Sequence, residues 1–188
     1  MFENMQYRVL GVMSGTSLDG VDLTICTFTK TNKWAFKIIK SETVKYSNSW
    51  KNTLAVLHLS NEEEITQINK DYGRFLGEVI NSFLSSDKVD FIASHGHTIF
   101  HEPENKYTLQ IGCGKIISKK TKTTTINDFR SLDISLSGQG APLVPIGDLH
   151  LFSDYKYCIN LGGFANISIK EGNNKIKAFD ICPVNIVM

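Results

Sequence analysis

Met13-Ser14-Gly15-Thr16-Ser17-Leu18-Asp19-Gly20 joins two apolar runs near the N-terminus and gathers glycines, hydroxyls and carboxylates into one turn. Glycine lets a backbone approach a ligand closely, and N–H groups beside hydroxyls form a concavity suited to an anion. Gly15 and Gly20, with Ser14, Thr16 and Ser17, and with Asp19 and Asp22 close behind, point to phosphate binding. An ordinary loop is the competing reading, because a Gly-rich segment is a weak motif when it stands singly. Further along, His95 and His97 flank Gly96, with Thr98 and His101 nearby, and Asp128 and Arg130 share a turn. HxH spacing with an Asp suits a metal-dependent hydrolase; it equally suits imidazoles that hold a ligand's hydroxyls or bond locally. Arg130 is a planar fork matched to a carboxylate or phosphate, or else a structural partner of Asp128 or Asp133. Asp180, a single carboxylate in an apolar stretch, reads as a general base or as the cap of the turn that follows.

These residues need elements to position them. Val9, Leu10 and Val12 predict a strand before the turn, and Val21-Asp22-Leu23-Thr24-Ile25 alternates at the strand period after it. Trp34, Phe36 and Ile38 predict a third. Ser47 and Ser60 are helix N-cap candidates. Glu62, Glu63 and Glu64 then precede Ile65, Ile68, Tyr72, Leu76, Ile80 and Phe83, the pattern of a long helix with one buried face. A short strand over 89–93 is expected to end at Ser94-His95-Gly96-His97-Thr98. An extension over 107–111, a short helix over 115–120 and a strand over 123–126 follow. A Gly-rich loop from Ser131 to Ala141 leads to a helix from Leu143 to Phe152, with Pro142 in its first turn. The order βββαβαβα predicts an α/β fold, a mixed sheet covered by helices, with ligands beyond the carboxyl ends of its parallel strands. Tyr157 to Leu161, Gly162-Gly163, and Phe164 to Ile169 repeat the opening strand–turn–strand pattern, and a run from Lys175 to Phe179 arrives at Asp180. Residues 1–154 are therefore expected to form a first domain and 155–188 the beginning of a second copy.

Composition narrows the partners. In 188 residues, 20 basic side chains nearly balance 19 acidic ones, which argues against nucleic acid and against an anionic membrane surface. No apolar run approaches the roughly 20 residues of a membrane helix, and the N-terminus lacks the basic start and apolar core of a signal peptide. Cys26, Cys113, Cys158 and Cys182 form no CxxC pair, so reduced thiols in a cytoplasmic protein are expected rather than a disulfide framework or zinc site.

Gly11-Val12-Met13-Ser14-Gly15-Thr16-Ser17-Leu18-Asp19-Gly20-Val21-Asp22 resembles the N-terminal signature of anhydro-N-acetylmuramic acid kinases. Further blocks match in order: Ser94 to Thr98 with His101-Glu102-Pro103, Leu109 to Gly112, Asp128-Phe129-Arg130, Gly138 to Pro145, Asn160 to Ile167, and the segment at Asp180. The resemblance implies the duplicated actin-like ATPase (ribonuclease H-like) fold. It also implies conversion of 1,6-anhydro-N-acetylmuramic acid, ATP and water into N-acetylmuramic acid 6-phosphate, with Mg2+, in cytoplasmic recycling of cell-wall sugar. By that resemblance Gly15, Thr16, Ser17, Leu18, Asp19, Gly20, Val21 and Asp22 bind the ATP phosphates and help place magnesium. Asp180 is the base that activates water, and His95, His97, Thr98 and Arg130 hold the sugar, Arg130 at its lactyl carboxylate. Two departures stand out: Cys182-Pro183-Val184-Asn185 where the family has Gly-Pro-Gly-Asn, and His97 where it has glutamine. The second copy stops at Met188, so a fragment or shortened homologue is expected, with weak or no ATP binding of its own. A non-catalytic sugar-binding or scaffold protein is the alternative, and open apolar strand surface leads one to expect self-association, a homodimer included.

Overall fold

The computed structural model describes residues 5–162, 164–172 and 175–184; Gly163 of the second glycine turn and Asn185 of the segment after Asp180 lie outside them. Strands β1 (Met5–Ser14), β2 (Gly20–Lys30) and β3 (Trp34–Lys45) form the expected antiparallel meander. Helices α1 (Asn48–Val56) and α2 (Glu62–Leu84) lead to β4 (Phe91–Glu102), whose first half lies parallel to β1. Strand β5 (Tyr107–Ile111) folds back on the second half of β4. Helix α3 (Gly114–Thr121) then returns the chain to β6 (Thr125–Asn127), parallel to β4 at Ile92 to Ser94. The expected order holds: β5 is the extension expected over 107–111, and α1 is added to the series.

Alternation along these strands does two jobs. Val21, Leu23 and Ile25 of β2, Leu10 and Val12 of β1, and Ile92 of β4 face the core, all at most 4% exposed, where Tyr72, Leu76, Ile80 and Phe83 of α2 cover them. Each such side chain contributes about 1.5–3 kcal/mol on burial, so a one-residue slip of β2 would cost several times that and the register is fixed. The intervening residues, Gly11 and Met13 of β1, Asp22 and Thr24 of β2, and Ala93 and His95 of β4, line a cleft on the opposite face.

Three local expectations are corrected. The strand expected over 89–93 is β4, which runs straight through the Ser94 to Thr98 block to Glu102, because β5 pairs with its far half. Asn61, not Ser60, caps α2, its side chain accepting from Glu64 N–H at 2.9 Å; Ser60 instead closes the preceding 3-10 turn by donating to Leu57 O. Within the expected Ser131 to Ala141 loop lies a short helix, α4 (Ser131–Ser135), and Pro145 rather than Pro142 stands in the first turn of α5 (Val144–Leu151). Ser47 caps α1 as expected.

A second sheet follows: β7 (Tyr157–Leu161), β8 (Phe164–Lys170) and β9 (Ile176–Pro183), antiparallel in the order β7-β8-β9 and so repeating the meander of β1 to β3. Helix α5 touches β3 on one side and β8 and β9 on the other. Lys33 pairs with Asp154, and Phe36 meets Phe152 edge-on at 5.7 Å. All four cysteines are free.

Candidate functional site

The two sheets and the start of α5 enclose a cleft of about 720 Å³. Its floor is the face of β1, β2 and β4 opposite the core. Gly15, Thr16 and Ser17 form one rim, Phe129, Arg130 and Ala141 to Val144 a second, and Asn160, Gly162, Phe164 and Asn166 a third. Leu18 N–H closes the first turn onto Gly15 O at 3.3 Å, while the N–H groups of Thr16 and Ser17 make no bond among the described residues. Ser17 Oγ donates to Asp19 at 2.8 Å, and Thr43 Oγ1 donates to Asp22 at 2.5 Å.

Of the residues singled out for phosphate and magnesium, Gly15, Thr16, Ser17 and Asp22 line the cleft. Leu18 packs against the core, and Gly20 and Val21 are buried where β2 begins. Asp19 supports Ser17. One carboxylate on the wall beside a phosphate-type turn fits magnesium, which keeps waters and binds through one or two carboxylates plus substrate phosphates.

His95 and His97 part company. Val12 of β1 is opposite Ser94, but Ser14 is opposite His97, so β4 carries one extra residue at this point. Gly96 absorbs it with φ +76°, and a Cβ there would lie 2.4 Å from Ile111 O. A bulge resets the alternation. His95 therefore stays in the cleft with Ala93 and Thr98, while His97, 3% exposed, turns into the core against Tyr72. The placement of His97 beside the sugar is corrected accordingly: it touches Ser14, at 2.9 Å from Nδ1 to Oγ.

Arg130 Nε and Nη2 both donate to His95 Nε2, at 3.0 and 2.9 Å, and Nη1 donates to Gly140 O at 2.8 Å. His95 Nδ1 lies 3.0 Å from Gly96 O. Since Nε2 must accept, Nδ1 carries the proton and donates. Burial, with the guanidinium charge as a smaller cause, keeps His95 below the ordinary His pKa, hence neutral. Asp133 accepts from Gly140 N–H and Asp128 from Ser131 N–H, and among the described residues neither forms an ion pair with Arg130. Arg130 is a half-buried cation held by neutral groups, with one hydrogen left on each terminal nitrogen. Such a charge favours an anion. Both nitrogens of His95 are engaged, and among the described residues no three His, Cys, Asp or Glu side chains cluster as metal ligands. The paired-imidazole metal reading therefore loses its ligands.

Asp180 of β9 is exposed and does not line the cleft itself; its cross-strand neighbour is Asn166, which does. Ile181 is an extra residue there, opposite neither Ala165 nor Asn166. The ladder continues through Cys182 and Pro183, opposite Ala165 and Phe164.

The model of the anhydro-N-acetylmuramic acid kinase family matches residues 7–188, and the matched span includes the whole cleft. The chain belongs to this family. Proteins named anhydro-N-acetylmuramic acid kinase from Pseudoalteromonas translucida, Photobacterium profundum and Acinetobacter baylyi are similar to it, with 36%, 34% and 36% identity over 96%, 96% and 95% of the chain. The matches cover 51%, 51% and 50% of those proteins, so the chain spans about half the length of the curated relatives it matches. Its mixed α/β fold is that of an actin-like ATPase domain. Among the described residues no helix is long and apolar enough to cross a membrane.

Within this family member, sequence reasoning left several cleft residues without a role: Phe129, Asn160 and Asn166 carried no signal beyond their place in matching blocks. Of the two tyrosines that hold Ser14, Tyr46 carried none, and Tyr72 read only as part of the buried stripe of α2.

The burial of His97 sets a pH dependence. Desolvation pushes its pKa down to about 4, with the neighbouring His95 imidazole a lesser cause. The unfolded chain takes up this proton near the ordinary value and the folded chain resists it. The contribution is thus complete above about pH 6.5 and is lost as pH falls toward 4. Its ceiling is on the order of 3 kcal/mol. His97→Gln cannot titrate, so urea unfolding of the two proteins at about pH 7 and about pH 4.5 should show wild type losing more stability than the variant. Equal losses would contradict the burial.

Proposed function

We propose that the chain is the part of an ATP-dependent sugar kinase that grips the phosphates and the sugar, acting on 1,6-anhydro-N-acetylmuramic acid in the cytoplasm. The observation that carries this reading is a single cleft lined both by Arg130, which has no anionic partner among the described residues, and by the Gly15 turn with its unbonded N–H groups. Residues 1–154 form the first lobe and 155–188 open the second. Thr16 and Ser17 N–H groups, with Gly15 leaving room, bind the ATP phosphates. Asp22 would hold magnesium, which when bound neutralises phosphate charge. Arg130 binds the lactyl carboxylate, oriented by His95, and Thr98 lies on the same wall. Asp180 takes a proton from water as its oxygen bonds to the anomeric carbon. The bond from that carbon to O6 breaks, O6 bonds to the γ-phosphorus, and ADP leaves. Positioning and charge stabilisation supply most of such catalysis.

Arg130→Met tests the sugar assignment in a form of the protein carrying both lobes. A charge-assisted bond contributes about 1.5–3 kcal/mol, so kcat/KM for the anhydromuramic sugar should fall about 10- to 100-fold. The KM for ATP should stay, and the preference over 1,6-anhydro-N-acetylglucosamine, which lacks the lactyl carboxylate, should vanish. An equal loss with both sugars would remove Arg130 from that role. A non-catalytic sugar-binding protein is the second reading, favoured by Cys182, paired with Ala165 in the ladder, standing where the family has a glycine; sugar binding without ADP release would establish it. Exposed Ile159, Leu161, Phe179 and Ile181 on the second sheet support self-association, with a homodimer as one form.

A further inference from the structure

Four polar side chains that the proposed chemistry does not use meet in the core directly behind the Gly15 turn. Ser14 ends β1, Tyr46 follows β3, Tyr72 lies in α2 and His97 in β4; they are 2%, 5%, 0% and 3% exposed. Ser14 Oγ lies 2.5 Å from Tyr46 Oη, 2.8 Å from Tyr72 Oη and 2.9 Å from His97 Nδ1. Tyr46 and Tyr72 hydroxyls are 2.5 Å apart. These contacts tie four elements to one oxygen atom, a single residue before the turn begins.

Counting hydrogens decides how they are arranged. Four contacts need four hydrogens, and the three hydroxyls supply one each. The fourth must come from His97 Nδ1. Were that nitrogen an acceptor, Ser14 would give it its only hydrogen, and one of the short oxygen–oxygen contacts would have none. Tyr72 donates to Ser14. Ser14 therefore donates to Tyr46 and Tyr46 to Tyr72, closing a directional ring, with His97 donating into it from outside. Ser14 Oγ then gives one hydrogen bond and accepts two, which is its full capacity.

We infer that this ring is a positioning device: it holds Ser14, and through it the N–H groups of the Gly15 turn, in place for a phosphate chain, and it leaves Ser14 no hydrogen to offer the ligand. The inference deepens the phosphate reading of the turn and rests on it for its consequence, though not for the ring. It also accounts for a serine that lines the cleft yet is almost wholly buried. Satisfied buried networks rigidify what they hold.

The test uses the 188-residue chain. Nitrogen NMR of 15N-labelled histidine at neutral pH should show His97 protonated at Nδ1 and bare at Nε2; the opposite tautomer would overturn the ring. Magnesium tripolyphosphate, which needs no adenine contact from a second lobe, is then titrated to concentrations high enough to register weak binding while the Gly15, Thr16 and Ser17 amide signals are followed. Tyr72→Phe and His97→Leu should each weaken binding about tenfold, whereas His97→Gln, whose amide can donate to Ser14, should stay within about twofold of wild type. That rescue separates donation from mere filling of space. Equal binding by His97→Leu and wild type would overturn the positioning role. Failure of the wild-type chain to shift those amides would refute the phosphate reading and the positioning role together, while the tautomer still decides the ring.

Discussion

Asp180→Asn, in a form of the protein that carries both lobes, should lower turnover of the anhydro sugar by on the order of 10²–10⁴-fold while sugar and Mg·ATP affinities change little. The carboxamide matches the carboxylate in shape but cannot take a proton from water. Asp180 is exposed on β9 and makes no ion pair among the described residues, so the unfolding midpoint should stay within the small range of ordinary surface changes. Its place beside Asn166, at the point where Ile181 breaks the β8–β9 register, is the kind of bulge that re-aims a side chain toward a site. Turnover retained by the variant would end the base assignment. Loss of sugar binding together with turnover would move Asp180 from proton transfer to substrate holding.

A matched pair of glycine substitutions should separate ligand binding from folding. A Cβ at Gly15 would meet nothing closer than Ser17 Oγ, at 3.4 Å, and Gly15 is not in the left-handed region. The fold has room there; a phosphate chain lying against the turn does not leave it. Gly11 and Gly162, the other glycines lining the cleft among the described residues, are open in the same way, with nearest neighbours at 3.8 and 3.6 Å. Gly15→Val should therefore leave the urea unfolding midpoint nearly unchanged and weaken Mg·ATP at least about tenfold in a form with both lobes. Gly96→Ala should do the reverse. Its Cβ would collide with the Ile111 carbonyl from a backbone angle that alanine resists, at a cost of about 2–4 kcal/mol or outright loss of folding. Unaltered ATP affinity in Gly15→Val would take the phosphates away from this turn, and a Gly96→Ala protein as stable as wild type would mean that the bulge is dispensable.

Much of this architecture can be read from local pattern. Val21, Leu23 and Ile25 alternate with Asp22 and Thr24, and that period alone assigns one set to the core and the other to the open face. The long apolar stripe of α2 declares its buried side in the same way. Where neighbours compete, local pattern fails. Ser60 has the chemistry of a cap for α2, but its N–H already closes the turn before it, and Asn61 takes the role. The Ser131 to Ala141 segment reads as a glycine loop, yet its first residues form α4, with Asp133 accepting from Gly140 N–H.

The site divides along the same line. Residue types and order along the chain were enough to name the family, because its signature is a series of contiguous blocks, and they also pointed to the Gly15 turn and Arg130, which line one cleft, and to Asp180, which does not line it. Spacing alone placed His95 and His97 on one face, and it took the pairing of β4 with β1 to send them apart. A strand's alternation holds only while its ladder is regular, and whether a residue is inserted depends on the neighbouring strand. The hydroxyls of Tyr46 and Tyr72 lie 32 and 58 residues from Ser14 in the chain. No local pattern encodes such a meeting; it arises when a helix, two strands and the segment after β3 pack around one buried oxygen.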